Sequence, residues 1–235
     1  MPPSHTLQRV SEDADVEAVT EPTRLVLIRH GESKATVERR IAGHRTCSGL
    51  SSLGVQQAER LRDRLSDTAE LPADRLIAST YARAQETARI LAPALALDIE
   101  TDERFGEHDP GPEMDGLSFQ AYVDRFGMPD WNGDPHMSMF PGGETRAEFN
   151  LRVGAALAAT VAKSEGLTVV IVCHGGVIDI AFRELLRMPP TGSFVLHTLN
   201  TSLTEFTIFG PGMWRIVRYN DTAHLHGLPA ATLTS

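Results

Sequence analysis

Two short apolar runs, Leu25-Val-Leu-Ile28 and Thr168-Val-Val-Ile-Val-Cys173, constrain the fold more than any other feature of this chain. Both are rich in β-branched residues and carry no charge until they stop, the pattern of buried strands. Arg75-Leu-Ile-Ala78 is a third run of the same kind. Helical spacing fills the gaps between them. Val55, Ala58, Leu61 and Leu65 recur within residues 54–66 behind Ser51 and Ser52 as caps; residues 81–95 and the alanine-rich stretch 144–163 follow. A further helix runs from the glycines after His174 to about Leu186, and two late strands, 202–209 and 214–219, flank a Gly-Pro-Gly turn as a hairpin. Residues 105–143, rich in Pro, Gly, Met and aromatics, read as an irregular insertion with one short helix around 117–126. Strands alternating with helices predict an α/β protein: a three-layer α/β/α sandwich whose central sheet is mostly parallel with an antiparallel edge.

Charge and composition narrow the function classes. The net charge of −9 argues against a constitutive nucleic-acid binder, which needs basic residues to neutralise phosphates. With 41% hydrophobic residues the chain can bury a sizeable core. No apolar run approaches the roughly 18 residues of a membrane span. Cys47 and Cys173 are the only cysteines and lie in unlike contexts, so a disulfide framework is excluded and a reducing, cytoplasmic setting is expected. Glu12, Asp13, Asp15, Glu17 and Glu21 oppose a single Arg9, so residues 1–23 read as an acidic flexible tail without a secretory pattern. Residues 227–235 read as a second loose end, leaving 24–226 as one catalytic domain.

Chemistry concentrates where the strands stop. The first run ends in Arg29-His30-Gly31-Glu32 and the longest in His174-Gly175-Gly176. Open α/β sheets bind ligands outside the carboxyl ends of their strands, and glycine there lets the backbone turn tightly or a ligand approach closely. Helices that begin after such turns aim N–H groups at the same crevice and favour an anion. Arg83 sits in the first turn of the helix after the third run, unfavourable against the helix dipole unless an anion lies between them. Two histidines and two arginines so placed describe a pocket for phosphate.

The same residues carry a resemblance to a known family. Leu27-Ile-Arg-His-Gly-Glu-Ser33, Arg83 within Ser79-Thr-Tyr-Ala-Arg-Ala-Gln-Glu-Thr-Ala88, and His174 within Val172-Cys-His-Gly-Gly176 resemble, in order, the three blocks of the histidine phosphatase superfamily, the phosphoglycerate mutase-like proteins. The likeness runs from about Arg24 to Leu225 and implies the phosphoglycerate mutase-like fold. It implies that His30 is the nucleophile and forms a phosphohistidine, with Arg29, Arg83 and His174 around the non-bridging oxygens and the Gly175 amide as a further donor. Neutral imidazole suits the role, since it offers a lone pair near pH 7 without a metal. Its other nitrogen needs an acceptor, expected to be a backbone carbonyl near the turn. The family places a glutamate four residues before a glycine, and Phe105-Gly-Glu-His-Asp-Pro-Gly111 fits, which makes Glu107 the general acid ahead of Glu103, Asp109 and Glu113. Between Gly111 and Asp115 this chain has one residue more than the family pattern, with Met114 where tryptophan is common.

Within the family, Gly49-Leu-Ser-Ser-Leu-Gly-Val-Gln-Gln-Ala58, Pro141-Gly-Gly-Glu-Thr145 and Asn220-Asp-Thr-Ala-His-Leu225 look more like the phosphatase branch than the mutases. The expected activity is therefore metal-independent hydrolysis of small phosphate monoesters, with no cofactor and no nucleic-acid or membrane partner. A phosphoglycerate mutase-type transfer and a catalytically silent phosphate-binding module are the alternatives. His44 and His224-Leu-His226 lack metal-ligand spacing and read as loop and surface residues. Arg39, Arg40, His44 and Arg45 either steer an anionic substrate or form a solvated loop. Met128, Trp131, Met137, Met139 and Phe140 either line a lid or form a small core of the insertion. The late hairpin offers an edge for pairing with a second copy, so a homodimer stays open.

Overall fold

A strand alternates its side chains between two faces, so an unbroken apolar run must be covered on both. The computed structural model, which describes residues 21–192, 196–208 and 212–230, covers both. Strands β1 (Thr23–Arg29), β2 (Arg75–Ala78), β3 (Ile99–Thr101), β4 (Thr168–Cys173), β5 (Leu203–Ile208) and β6 (Trp214–Asp221) form one sheet in the order β3-β2-β4-β1-β5-β6. The first four run parallel; β5 is antiparallel to β1, and β6 to β5. Leu25, Leu27, Val169 and Ile171 face α5 (Arg146–Ala162) and α6 (Gly175–Leu185), packing on Val153, Leu157 and Ile180. Val26, Ile28, Val170 and Val172 face α2 (Ser52–Thr68) and α3 (Ala82–Leu95), packing on Leu61, Ala88 and Leu91. These strand residues are at most 1% exposed. Each such burial contributes about 1.5–3 kcal/mol relative to exposure. Together they fix both helical layers on one sheet.

The helix starts follow the capping residues. Ser51 accepts from the Gly54 amide at the head of α2, and Thr145 and Glu148 form a reciprocal capping box on α5. A short α1 (Lys34–Val37) is capped by Ser33. Segment 105–143 carries one helix, α4 (Phe119–Phe126), over a small core of Met114, Tyr122 and Phe140. Met139 packs against that core, whereas Met128 and Met137 are exposed. Met114, in the register where the family pattern is broken, is fully buried there. The acidic stretch up to residue 20 and residues 231–235 lie outside the described residues, as does the turn at 209–211. Thr23, placed with the tail on composition, instead opens β1: it is buried and donates to the Ser164 carbonyl. Among the described residues no helix is long and apolar enough to cross a membrane.

Candidate active site

Register brings the two histidines together. Arg29 of β1 pairs with Cys173 of β4, so the next residue of each strand emerges side by side at the sheet's carboxyl edge. The His30 amide donates to the Cys173 carbonyl at 2.9 Å, and the His30 and His174 rings lie 5.1 Å apart between centroids. The chain leaving β1 turns towards β2 and the chain leaving β4 towards β5, so the crevice lies at a switch in strand order. Helix α3 follows β2 and delivers Arg83 from its second residue, with Nε 3.0 Å from His30 Nε2.

The partners of His30 settle its tautomer. Nδ1 lies 2.6 Å from the Gly31 carbonyl, which only accepts, so Nδ1 carries the proton. Nε2 faces a guanidinium N–H, which only donates, and therefore presents a lone pair. Burial, then Arg83 and Arg29, holds the His30 pKa well below 6.5 against the Gly31 carbonyl, so the ring is neutral at pH 7. The turn itself is pinned: Asn200 donates to the His30 carbonyl at 2.9 Å, and the Gly31 amide to Thr87 Oγ1 at 3.1 Å. Thr87 in turn donates to the Arg83 carbonyl, tying the histidine turn to the helix that carries the arginine. A Cβ on Gly31 would overlap the Gly54 backbone, so this approach to α2 requires glycine.

Around His30 the unmet polar atoms share one preference. Arg29 donates through its guanidinium to the Thr198 carbonyl, but its buried Nε has no partner. His174 Nε2 sits 2.8 Å from Ser79 Oγ, while its buried Nδ1 has none. Burial, Arg83, His30 and Arg29 keep the His174 pKa well below 6.5. Burial also lowers the pKa of Arg29, yet an arginine stays cationic in proteins. Arg83 stacks 4.6 Å over the Tyr81 ring and donates to the Ala42 carbonyl and to Cys47 Sγ. Leaving a buried polar atom unpaired costs about 1–3 kcal/mol. A tetrahedral anion beside Arg29 would supply the acceptor that its Nε–H lacks among the described residues.

Glu107 stands opposite, held by contacts the sequence did not announce. One carboxylate oxygen accepts from the Gly176 amide and the other from the His108 amide, each at 3.1 Å. A Cβ on Gly176 would overlap that carboxylate, which explains the second glycine after His174. Arg152 of α5 donates to the carbonyls of Arg104, Gly106 and Glu107 and pairs through two bonds of 2.8 Å with Glu144. Glu144 also accepts from the Asp109 amide, so the pair staples the segment that carries Glu107.

The competing carboxylates lie elsewhere. Glu103 and Glu113 are exposed, and Asp109 pairs with Arg45 at 3.2 Å. Gly175 lies beside Arg29. The basic loop is largely paired off, Arg40 with Glu38 and Arg45 with Asp109 and Asp115. His44 reaches the site's edge, 6.2 Å from Tyr81 between ring centroids, and His224 bonds Thr201 Oγ1 at 2.9 Å. Cys173 is buried, and burial raises its thiol pKa, so it stays protonated.

The chain as a whole has known relatives. Residues 25–222 match the model of the histidine phosphatase superfamily, branch 1. The chain belongs to the histidine phosphatase superfamily. Phosphoglycerate mutase-like protein 4 of Arabidopsis thaliana is 32% identical over 92% of this chain and 90% of its own. Among solved structures, Bacillus stearothermophilus YhfR superposes with a TM-score of 0.75 at 30% identity, covering 87% of this chain and 100% of its own. The mycobacterial glucosyl-3-phosphoglycerate phosphatase in complex with VO3 superposes with a TM-score of 0.70 at 28% identity, covering 84% and 98%.

The buried histidines of this superfamily member make its stability depend on pH. Besides His30 and His174, His224 is held at about 4, by burial first and then Arg64, against Asp221 and Glu70. The unfolded chain takes up protons near pH 6.5 that the folded chain refuses, so in this window the unfolded state binds more protons. Stability is therefore complete above that pH and falls as the pH drops towards the folded-state values, by about 1.4 kcal/mol per unit for each histidine. Calorimetry should show a level Tm above about pH 7 and a steep decline from there to about pH 5, before ordinary carboxylates titrate. A Tm that holds level or rises as the pH falls through this window refutes the neutral-histidine assignment.

Proposed function

We propose that this chain is a phosphatase that hydrolyses phosphate monoesters through a phosphohistidine on His30, without a metal ion. The observation that carries the reading is the His30 ring: neutral, buried, its proton anchored on the Gly31 carbonyl and its lone pair beside Arg83. In the first step Nε2 bonds to phosphorus as the bond to the ester oxygen breaks. A proton that arrives with the substrate passes through the Glu107 carboxylate to that leaving oxygen. The phosphohistidine ring carries positive charge, and the Gly31 carbonyl stabilises it through Nδ1–H. Arg29, Arg83 and His174 hold the three non-bridging oxygens, where paired or cationic donors offset the charge of the transition state. In the second step water attacks phosphorus, Glu107 takes its proton, the P–N bond breaks and His30 returns neutral.

The likeness to a glucosyl-3-phosphoglycerate phosphatase supports hydrolysis, as do the sequence blocks around Gly49 and Pro141. The Arabidopsis relative's name favours the second reading, in which the phosphohistidine is passed to another acceptor hydroxyl. A panel of monoesters in EDTA, assayed for inorganic phosphate, separates the two. We expect stoichiometric release of phosphate and alcohol. Interconversion of 3- and 2-phosphoglycerate without net phosphate release makes the protein a mutase instead.

A further inference from the structure

Glu107 and Gly176 form one wall of a second feature, a cavity of about 310 Å³. Ile41, Trp131, Phe140 and Phe149 are among its apolar lining residues, so a polyhydroxylated guest would find few partners for its hydroxyls. The polar exceptions besides Glu107 are His108 and Arg146, and both carry unmet donors. Burial lowers the His108 pKa, against the charges of Glu144 and Glu107 and the Glu144 carbonyl, and among the described residues neither ring nitrogen has a well-formed hydrogen bond. Arg146, the first residue of α5, donates to the Pro190 carbonyl at 3.1 Å and lies 3.8 Å from Asp179, while its buried Nε–H has no partner. Among the described residues Glu107 is the only carboxylate lining the cavity, and its oxygens are already engaged by two backbone amides. A wider depression of about 490 Å³ at the C-terminal end of α3 shares no residue with these groups.

The geometry points to a leaving-group subsite for an apolar, aromatic alcohol that carries one anionic acceptor, a carboxylate, read by Arg146 and His108. The inference rests on the proposed role of Glu107, which places the ester oxygen at this wall and the alcohol inside the cavity. Aromatic walls take the ring, with His108 itself 5.8 Å from Phe140 and 5.5 Å from Phe149 between ring centroids. The carboxylate supplies an acceptor for the Arg146 Nε–H and the His108 ring, which lack one among the described residues. A planar guanidinium prefers a carboxylate to a neutral acceptor.

Phosphonates test the subsite without turnover. Benzylphosphonate, its meta- and para-carboxy derivatives and a sugar phosphonate are titrated calorimetrically into the full chain. At least one carboxylated ligand should bind about 10-fold or more tighter than benzylphosphonate, the size of a charge-assisted hydrogen bond, and the sugar analogue weakest. In R146Q that ratio should fall to within about 2-fold, and R146K should keep part of it. A wild-type ratio near one for both isomers, or a preference for the sugar, overturns the subsite whether or not R146Q folds. An unchanged ratio in folded R146Q does the same. Binding does not depend on hydrolysis, so failure of phosphate release with the ratio intact removes only the phosphatase reading.

Discussion

His30→Ala should lower the turnover of every phosphate monoester by at least about 10⁴-fold and leave no acid-labile, base-stable phosphoryl group on the denatured protein after a substrate pulse. The size follows from the reaction proposed: without Nε2 there is no bond to form, and the surrounding donors retain only what they contribute to binding and charge. Binding should survive, because Arg29, Arg83 and His174 are anchored independently of the imidazole, on Thr198, Ala42 and Ser79. The substitution also removes one of the histidines that refuse a proton, so the acid-side loss of stability should become shallower by about 1.4 kcal/mol per pH unit. The expected signature is therefore a stable, phosphate-binding, inert protein. Activity within about tenfold of the parent would mean that water attacks phosphorus directly, and the covalent route would be abandoned.

Most of what positions this residue was legible because period-two burial and family blocks are properties of contiguous residues. Val26 and Ile28 face one helical layer and Leu25 and Leu27 the other, and continuing that alternation points His30 at the α3 side, where Arg83 arrives. The carbonyl expected on the ring's second nitrogen is that of Gly31. What the sequence left silent depends on pairs far apart in the chain. Arg152 and Glu144 look like ordinary helix and loop charges until folding sets them under the segment of Glu107. Asn200 follows a segment without periodicity, yet it holds the His30 carbonyl across 170 residues. Strand β3 is three residues long and half exposed, too short for alternation to declare itself. The insertion was ambiguous between lid and core because its aromatic residues do both: Phe140 is buried in the small core and also lines the cavity beside Glu107.

Glu107→Gln should slow hydrolysis of alkyl phosphates by about 10²–10⁴-fold, and the loss should depend on the leaving group. An alkoxide cannot depart unprotonated, whereas a nitrophenolate can, so the first step on a nitrophenyl ester should change little. The second step on that ester still needs a base for water. A glutamine provides none, and the phosphohistidine should accumulate, visible as a burst of about one equivalent of nitrophenol per site followed by slow turnover. The carboxylate also acts on the field of the pocket, since it raises the pKa of Arg29 against burial. Removing its charge removes a repulsion towards a phosphate dianion, so a non-hydrolysable phosphonate should bind more tightly. Gly176→Ala offers an independent route to the same result. Its Cβ would occupy the position of the carboxylate, forcing Glu107 off the amide that orients it while leaving its charge near the site. That variant should share the leaving-group dependence and lack the tighter phosphonate binding. Equal losses in the first step on alkyl and nitrophenyl esters, with no burst on the latter, would show in both variants that Glu107 shapes the site rather than moving a proton.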